Sequence, residues 1–143
     1  ASVAGLLDCD LRRAPVLSRA EGSAAGPGSR SPPSSFHAVV MHSVADAISD
    51  TPEEFAALVR TAAGLVAPGG SLLISVNTDV DEWHAEATAF PQVRLSSDQV
   101  LAAVEGAGLQ VVLSRQRSRL PDGRETETAH TMVVLADRPQ CAE

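Results

Sequence analysis

Two short stretches concentrate side chains able to hold or orient a polar ligand. The first, His42-Ser43-Val44-Ala45-Asp46, pairs a histidine with a carboxylate, and the second, Asp79 to His84, carries Asp79, Asp81 and Glu82 beside Trp83 and His84. A third candidate is Asp10, which ends the apolar run that enters Asp8-Cys9-Asp10. An ionised carboxylate only accepts hydrogen bonds, so such positions suit N–H donors and ammonium groups. Charge runs of this kind are equally a solvated rim, the ordinary state of surface acids. Nucleophilic chemistry is poorly provided for: Ser43 follows His42 but has no G-x-S-x-G surround and no triad spacing. Cys9 and Cys141 stand far apart with no C-x-x-C and no Cys/His ligand pattern, so neither a metal site nor a disulfide framework is expected.

The 143-residue chain is 44% hydrophobic and 20% charged, which suits one soluble domain with a real core. No apolar run approaches the roughly 18 residues a membrane span requires. No export signal is visible at the start, so a cytoplasmic location is expected. The formal charge is −7 and the eleven basic residues, all arginines, are scattered. That distribution argues against a nucleic-acid or anionic-membrane surface and leaves a small molecule as the default partner.

Strands and helices must bring these side chains together. Val3 to Leu7 reads as a buried strand, and 14–35, rich in Gly, Ser and Pro, as a flexible loop. FHAVVM (36–41) is strand-like. Thr51, Pro52 and Glu54 then form a capping-box start to an amphipathic helix carrying Phe55, Leu58, Val59, Ala62, Leu65 and Val66. LVAPGGSLLISV (65–76) reads as helix end, sharp turn and strand, with Gly69 and Gly70 taken to supply positive backbone angles. A second capping box at Ser96 and Gln99 opens a helix on Val100, Ala103, Val104 and Ala107, stopped at Gly108. LQVVLS (109–114) and TMVVLA (131–136) are strands with no helix between them, separated by a turn at Pro121-Asp122-Gly123. The expected fold class is α/β, a mainly parallel sheet ending in an antiparallel pair. Ligands of such sheets bind beyond the carboxyl ends of the strands. That edge holds Asp10, the stretch from His42 to Asp50, and the stretch from Val76 to His84.

Three segments, LLDCDLRRAPVL, FHAVVMHSVADAISDTPEEFAALVRTAAGLVAPGGSLL and DEWHAEATAFPQVRLSSDQVLAAVEGAGLQVV, carry a resemblance. They look like the C-terminal half of a class I S-adenosylmethionine-dependent methyltransferase. Within that class the chain is similar to the nicotinamide, phenylethanolamine and indolethylamine N-methyltransferases. The resemblance implies an incomplete Rossmann-like domain over residues 1–138, with 139–143 as a tail. It implies S-adenosylmethionine as cofactor, with Asp10 accepting from the adenine amino group, Leu11 meeting the ring edge, and His42 standing where the family has a small hydroxyl residue. Asp46 and Asp81 would orient the amine and assist its deprotonation, with Asp79 as the alternative to Asp81 and His84 facing the substrate. Val76 replaces an acid of the nicotinamide enzyme, so a primary or secondary amine held by carboxylates is the expected substrate.

The pattern lacks the family's glycine-rich turn after a first strand, the ribose-binding acid, and the N-terminal lid. GSAAGPGS (22–29) precedes a strand rather than a helix and does not replace that turn. The chain, which starts at Ala1 in the middle of a strand entry, reads as a piece of something longer. It is expected to need the missing N-terminal half of the domain and to be inactive alone. The alternative expectation is a non-catalytic Rossmann-like remnant serving as an interaction or regulatory module.

Overall fold

The computed structural model describes residues 7–9, 12, 17–19, 36–85, 87–118 and 130–140. Strand β1 (Leu7–Cys9) pairs antiparallel with β2 (Leu17–Arg19). The described strand thus overlaps the expected Val3–Leu7 run at Leu7 and continues to Cys9, and β2 falls inside the stretch expected to be loop. Asp10 and Leu11 lie outside the described residues, as does the turn at Pro121-Asp122-Gly123.

The main body contains β3 (Phe36–His42), α1 (Ala45–Ile48), α2 (Pro52–Leu65) and β4 (Val66–Thr78). A hairpin of β5 (Glu82–Ala85) and β6 (Thr88–Pro91) follows, then α3 (Ser97–Gly106), β7 (Gln110–Ser118) and β8 (His130–Asp137). Four strands form one sheet in the order β3-β4-β8-β7. The β3–β4 pair is parallel, whereas β4–β8 and β7–β8 are antiparallel. The α/β class and the antiparallel last pair are as expected, but the described sheet is mixed. β8 inserts between β4 and β7 and runs antiparallel to both.

Both long helices start where their side chains satisfy backbone donors. Ser96 Oγ accepts from Gln99 N–H at 3.2 Å while Gln99 Oε1 accepts from Ser96 N–H at 2.8 Å, a complete capping box. At α2, Thr51 Oγ1 accepts from Glu54 N–H at 3.2 Å, but the Glu54 carboxylate reaches one residue further back, to Asp50 N–H at 2.8 Å. The box is half formed there. Gly108 ends the α3 region at φ 80°, in the left-handed conformation expected of a helix stop.

The proline and glycines after α2 do more than turn the chain. Phe36 pairs with Val66 and Ala38 with Ser71, so Ala67 to Gly70 bulge out of the parallel ladder. Gly69 takes φ 75° and its N–H donates to Arg138 O, while Arg138 N–H donates to Gly70 O. Gly70 is not at positive φ; a Cβ there would stand 2.8 Å from His37 O, so it is glycine because the β3 backbone passes too close. The Arg138 guanidinium also donates to Val66 O at 2.7 Å, tying β8 to the exit of α2.

The core lies on one side of the sheet. Met41 of β3, Leu72, Ile74 and Val76 of β4, and Met132, Val134 and Ala136 of β8 meet Phe55, Leu58, Val59 and Ala62 of α2 and Val100, Ala103 and Val104 of α3. The alternate residues form a row across the opposite face: Val40 pairs with Leu73, Leu73 with Leu135, and Leu135 with Leu113. Val40 is 66% and Leu113 45% exposed, so among the described residues this row has no cover at either end.

Candidate functional site

A cavity of about 300 Å³ opens at the carboxyl end of the parallel pair β3–β4. Six elements or connections contribute. His42 and Ser43 come from the end of β3, Asp46 and Ala47 from α1, Asn77 from β4, Trp83 from β5, Gln92 from the segment after β6, and Thr131 from β8. Ser43 is in the left-handed region at φ 48°, and its N–H donates to Ser75 O at 2.7 Å, which turns the chain sharply from β3 into α1. That turn places Asp46 under the end of β4.

Asp46 is 1% exposed. Its Oδ2 accepts from Asn77 N–H at 2.9 Å, and its own carbonyl accepts from Val93 N–H at 3.1 Å, so both ends of the residue are fixed. Oδ1 is buried without a hydrogen-bond partner. Burial pushes the carboxyl above its ordinary range; the N–H groups of Asn77, Asp46 and Ala47 and the charge of His42 oppose that shift without cancelling it.

A directed chain of polar side chains lies beside it. Thr131 Oγ1 donates to Asn77 Oδ1, Asn77 Nδ2 donates to Gln92 Oε1, and Gln92 Nε2 donates to Val80 O, each at 3.4 Å. This chain links β8, β4 and the segment after β6 across the cavity. Trp83 stacks on Phe90 with centroids 4.5 Å apart and planes at 17°, making the hairpin an aromatic wall.

Of the residues expected at the site, the cavity brings His42 and Asp46 together. Asp79 and Asp81 stand outside its lining. Asp79 holds φ 63°, with its N–H donating to Leu95 O, and so turns the chain out of β4; Asp81 is exposed, and its carbonyl accepts from Gln92 N–H. His84 sits in β5 opposite Ala89, and its side chain lies outside the described residues. Asn77, Gln92 and Thr131 escaped the sequence reading. Their one signal is a polar residue among apolar neighbours near a strand end, as in Ile74-Ser75-Val76-Asn77-Thr78.

The profile of the NNMT/PNMT/TEMT family matches residues 1–137, nearly the whole chain. The chain belongs to that family. None of the curated proteins matches it. Among solved structures, this family member is similar to an S-adenosylmethionine-dependent methyltransferase from Methanosarcina mazei, at 14% identity and TM-score 0.61 over 78% of this chain and 64% of that one. It is also similar to Burkholderia thailandensis 1,6-didemethyltoxoflavin-N1-methyltransferase, solved with its named ligand and S-adenosylhomocysteine (14% identity, TM-score 0.52, 76% of this chain and 46% of that one). A third is Haemonchus contortus phosphoethanolamine N-methyltransferase 2 with S-adenosyl-L-methionine, at 13% identity and TM-score 0.52 over 76% of this chain and 34% of that one. At these identities the likeness establishes the Rossmann-like methyltransferase fold. The chain spans less than two thirds of each of these three structures. Among the described residues no helix is long and apolar enough to cross a membrane.

Proposed function

We propose that the chain is the amine-binding part of an S-adenosylmethionine-dependent N-methyltransferase acting on a small molecule. The observation that carries this reading is Asp46, a buried acid that lines a cavity at the ligand edge of the sheet and whose Oδ1 has no hydrogen-bond partner. A buried acceptor left unmade is costly, and an N–H of a ligand amine would complete it. Membership of the family and likeness to structures named as N-methyltransferases support the same reading.

The cofactor, when bound, supplies an electrophilic methyl group. His42 and Ser43, at the carboxyl end of the parallel pair, fit one side of its cradle, and by resemblance Asp10 and Leu11 would meet its adenine. The chain's own work is placement. Asp46 holds the nitrogen, Asn77 N–H holds Asp46, and Trp83 limits how the rest of the molecule lies. Placement of this kind is worth about 7–11 kcal/mol of a displacement barrier. The exposed Asp81, on the segment bonded to Gln92, would attract a cationic amine from the rim. His84 keeps its expected substrate-facing role within this proposal, and Asp79 acts through the backbone turn it makes.

The open face of the sheet supports the need for the rest of the domain. Sheets with parallel pairs are normally covered on both faces, and here Val40, Leu73, Leu135 and Leu113 form an apolar row outside the core. We assign that row to the portion of the domain that the matched structures carry beyond this chain's span. The test is the chain produced together with the sequence encoded immediately upstream, given cofactor with a labelled methyl group and a panel of primary and secondary amines. Label is expected on an amine nitrogen; its absence across the panel would end the methyltransferase reading. Val40→Asp is expected to leave the melting of the 143-residue chain within the small range of surface substitutions, about 0.5 kcal/mol. The same change should lower both melting temperature and methyl transfer in the longer protein.

A further inference from the structure

We infer that Asp46 stands as the neutral carboxylic acid in the empty cavity and that entry of a cationic nitrogen expels its proton, so that ligand binding and proton release are one event. This deepens the amine reading above and rests on it.

The geometry leaves a charge on Asp46 incompletely balanced, since burial outweighs the backbone N–H groups and His42 that favour it. Asp46 is 1% exposed, Oδ2 accepts from Asn77 N–H, and Oδ1 has no hydrogen-bond partner. Among the described residues, His42 is the one other ionisable group that lines the cavity with it. Asp79 beyond β4 and Asp81 and Glu82 on the hairpin lie outside the lining. So do Glu53 and Glu54 in the first turn of α2, Arg94 after β6, and His130 at the start of β8. The Asn77, Gln92 and Thr131 side chains are neutral. A buried carboxyl in such surroundings holds its proton to higher pH than a free one, and the upward push of burial on its titration agrees.

The exchange balances. A protonated amine meets the protonated acid, the O–H bond of Asp46 breaks with its electron pair left on the carboxylate, one proton passes to solvent, and an ammonium–carboxylate pair remains. While Asp46 is protonated in the empty site, affinity for the cation rises about tenfold per pH unit, and it levels off once the empty site is ionised. A neutral ligand of the same shape releases nothing.

Two measurements on the 143-residue chain test this. In the first, benzylamine and its neutral counterpart benzyl alcohol are titrated calorimetrically at a pH below the midpoint that the second measurement finds for Asp46, each in two buffers of different ionisation heat. About one proton per benzylamine is expected, none per benzyl alcohol, and none with Asp46→Asn for either probe. In the second, the Asp46 carboxyl carbon is followed by NMR in the empty protein, where it should titrate above the ordinary carboxylate range. If benzylamine binds through Asp46 without proton release, or the carbon titrates at or below that range, the inference fails while the amine site stands. If benzylamine does not bind but the carbon titrates high, the amine reading fails, and the inference fails with it because no cation exchanges for the proton. A variant that loses its fold shows in the same NMR spectra, and the titration of the unaltered chain still decides.

Discussion

Asp46→Asn is expected to weaken binding of a cationic amine by about ten- to hundredfold while removing most of the site's pH dependence of stability. Hydrogen bonds to charged groups contribute about 1.5–3 kcal/mol, which sets the size of the binding loss. The sign of the stability effect follows from linkage. The folded carboxyl titrates above its unfolded value of 3.8 because burial disfavours the charged form. Between 3.8 and the raised value the folded protein therefore binds more protons than the unfolded chain. Stability conferred by the neutral acid is fully present below that window and is lost as pH rises through it. Asparagine cannot ionise, so this fall disappears, although its carbonyl can still accept from Asn77 N–H. Thermal melts of both proteins at about pH 3.5 and pH 7.5 check this. The difference between the two pH values should be smaller for the variant, and an unchanged difference would show that Asp46 titrates normally.

Phe55→Ala is expected to cost about 3–5 kcal/mol, a large share of the 5–15 kcal/mol by which ordinary domains are stable. Phe55 is fully buried on the second turn of α2 and joins the cluster that fastens that helix to β3 and β4. The helix cannot slide to refill the space, because Pro52 and the Thr51 cap hold its start and Arg138 holds the carbonyl just beyond its end. Urea unfolding of the variant should show a lower midpoint with little change in slope. Phe90 offers the contrast. It is 38% exposed and packs on Trp83, so Phe90→Ala should cost only the stacking contribution, about 0.5–1.5 kcal/mol, and act on the hairpin wall of the cavity rather than on the core.

The helices were legible because their signals are local. Ser96 with Gln99, and Thr51 with Pro52, lie within one turn of the donors they satisfy, and Gly108 sits where its own backbone angle requires glycine. The apolar spacing that begins at Phe55 and at Val100 likewise depends on nothing outside each helix. Gly70 was only half legible. Two adjacent glycines signal a turn, but the reason for the second is the carbonyl of His37, a contact made only after β3 and β4 pair. The mixed character of the sheet was hidden for the same reason, because β8 inserts beside β4 across more than fifty intervening residues.

At the candidate site the division is similar. The residues from His42 to Asp46 stand out from sequence alone as polar side chains following an apolar strand, and the family resemblance singles out Asp46 among them. Asp79 and Asp81 carry the same chemistry and the same strand-end position, yet one turns the backbone and the other faces solvent. Sequence by itself determined the element types, the caps and the set of acids at the ligand edge, since those follow from short-range periodicity and donor–acceptor chemistry. Only the tertiary structure decided which acid is buried. The left-handed turn at Ser43 and the Asn77 N–H bring Asp46 out of water, and the long-range pairing of β4 with β8 closes the polar wall of Asn77, Gln92 and Thr131 around it.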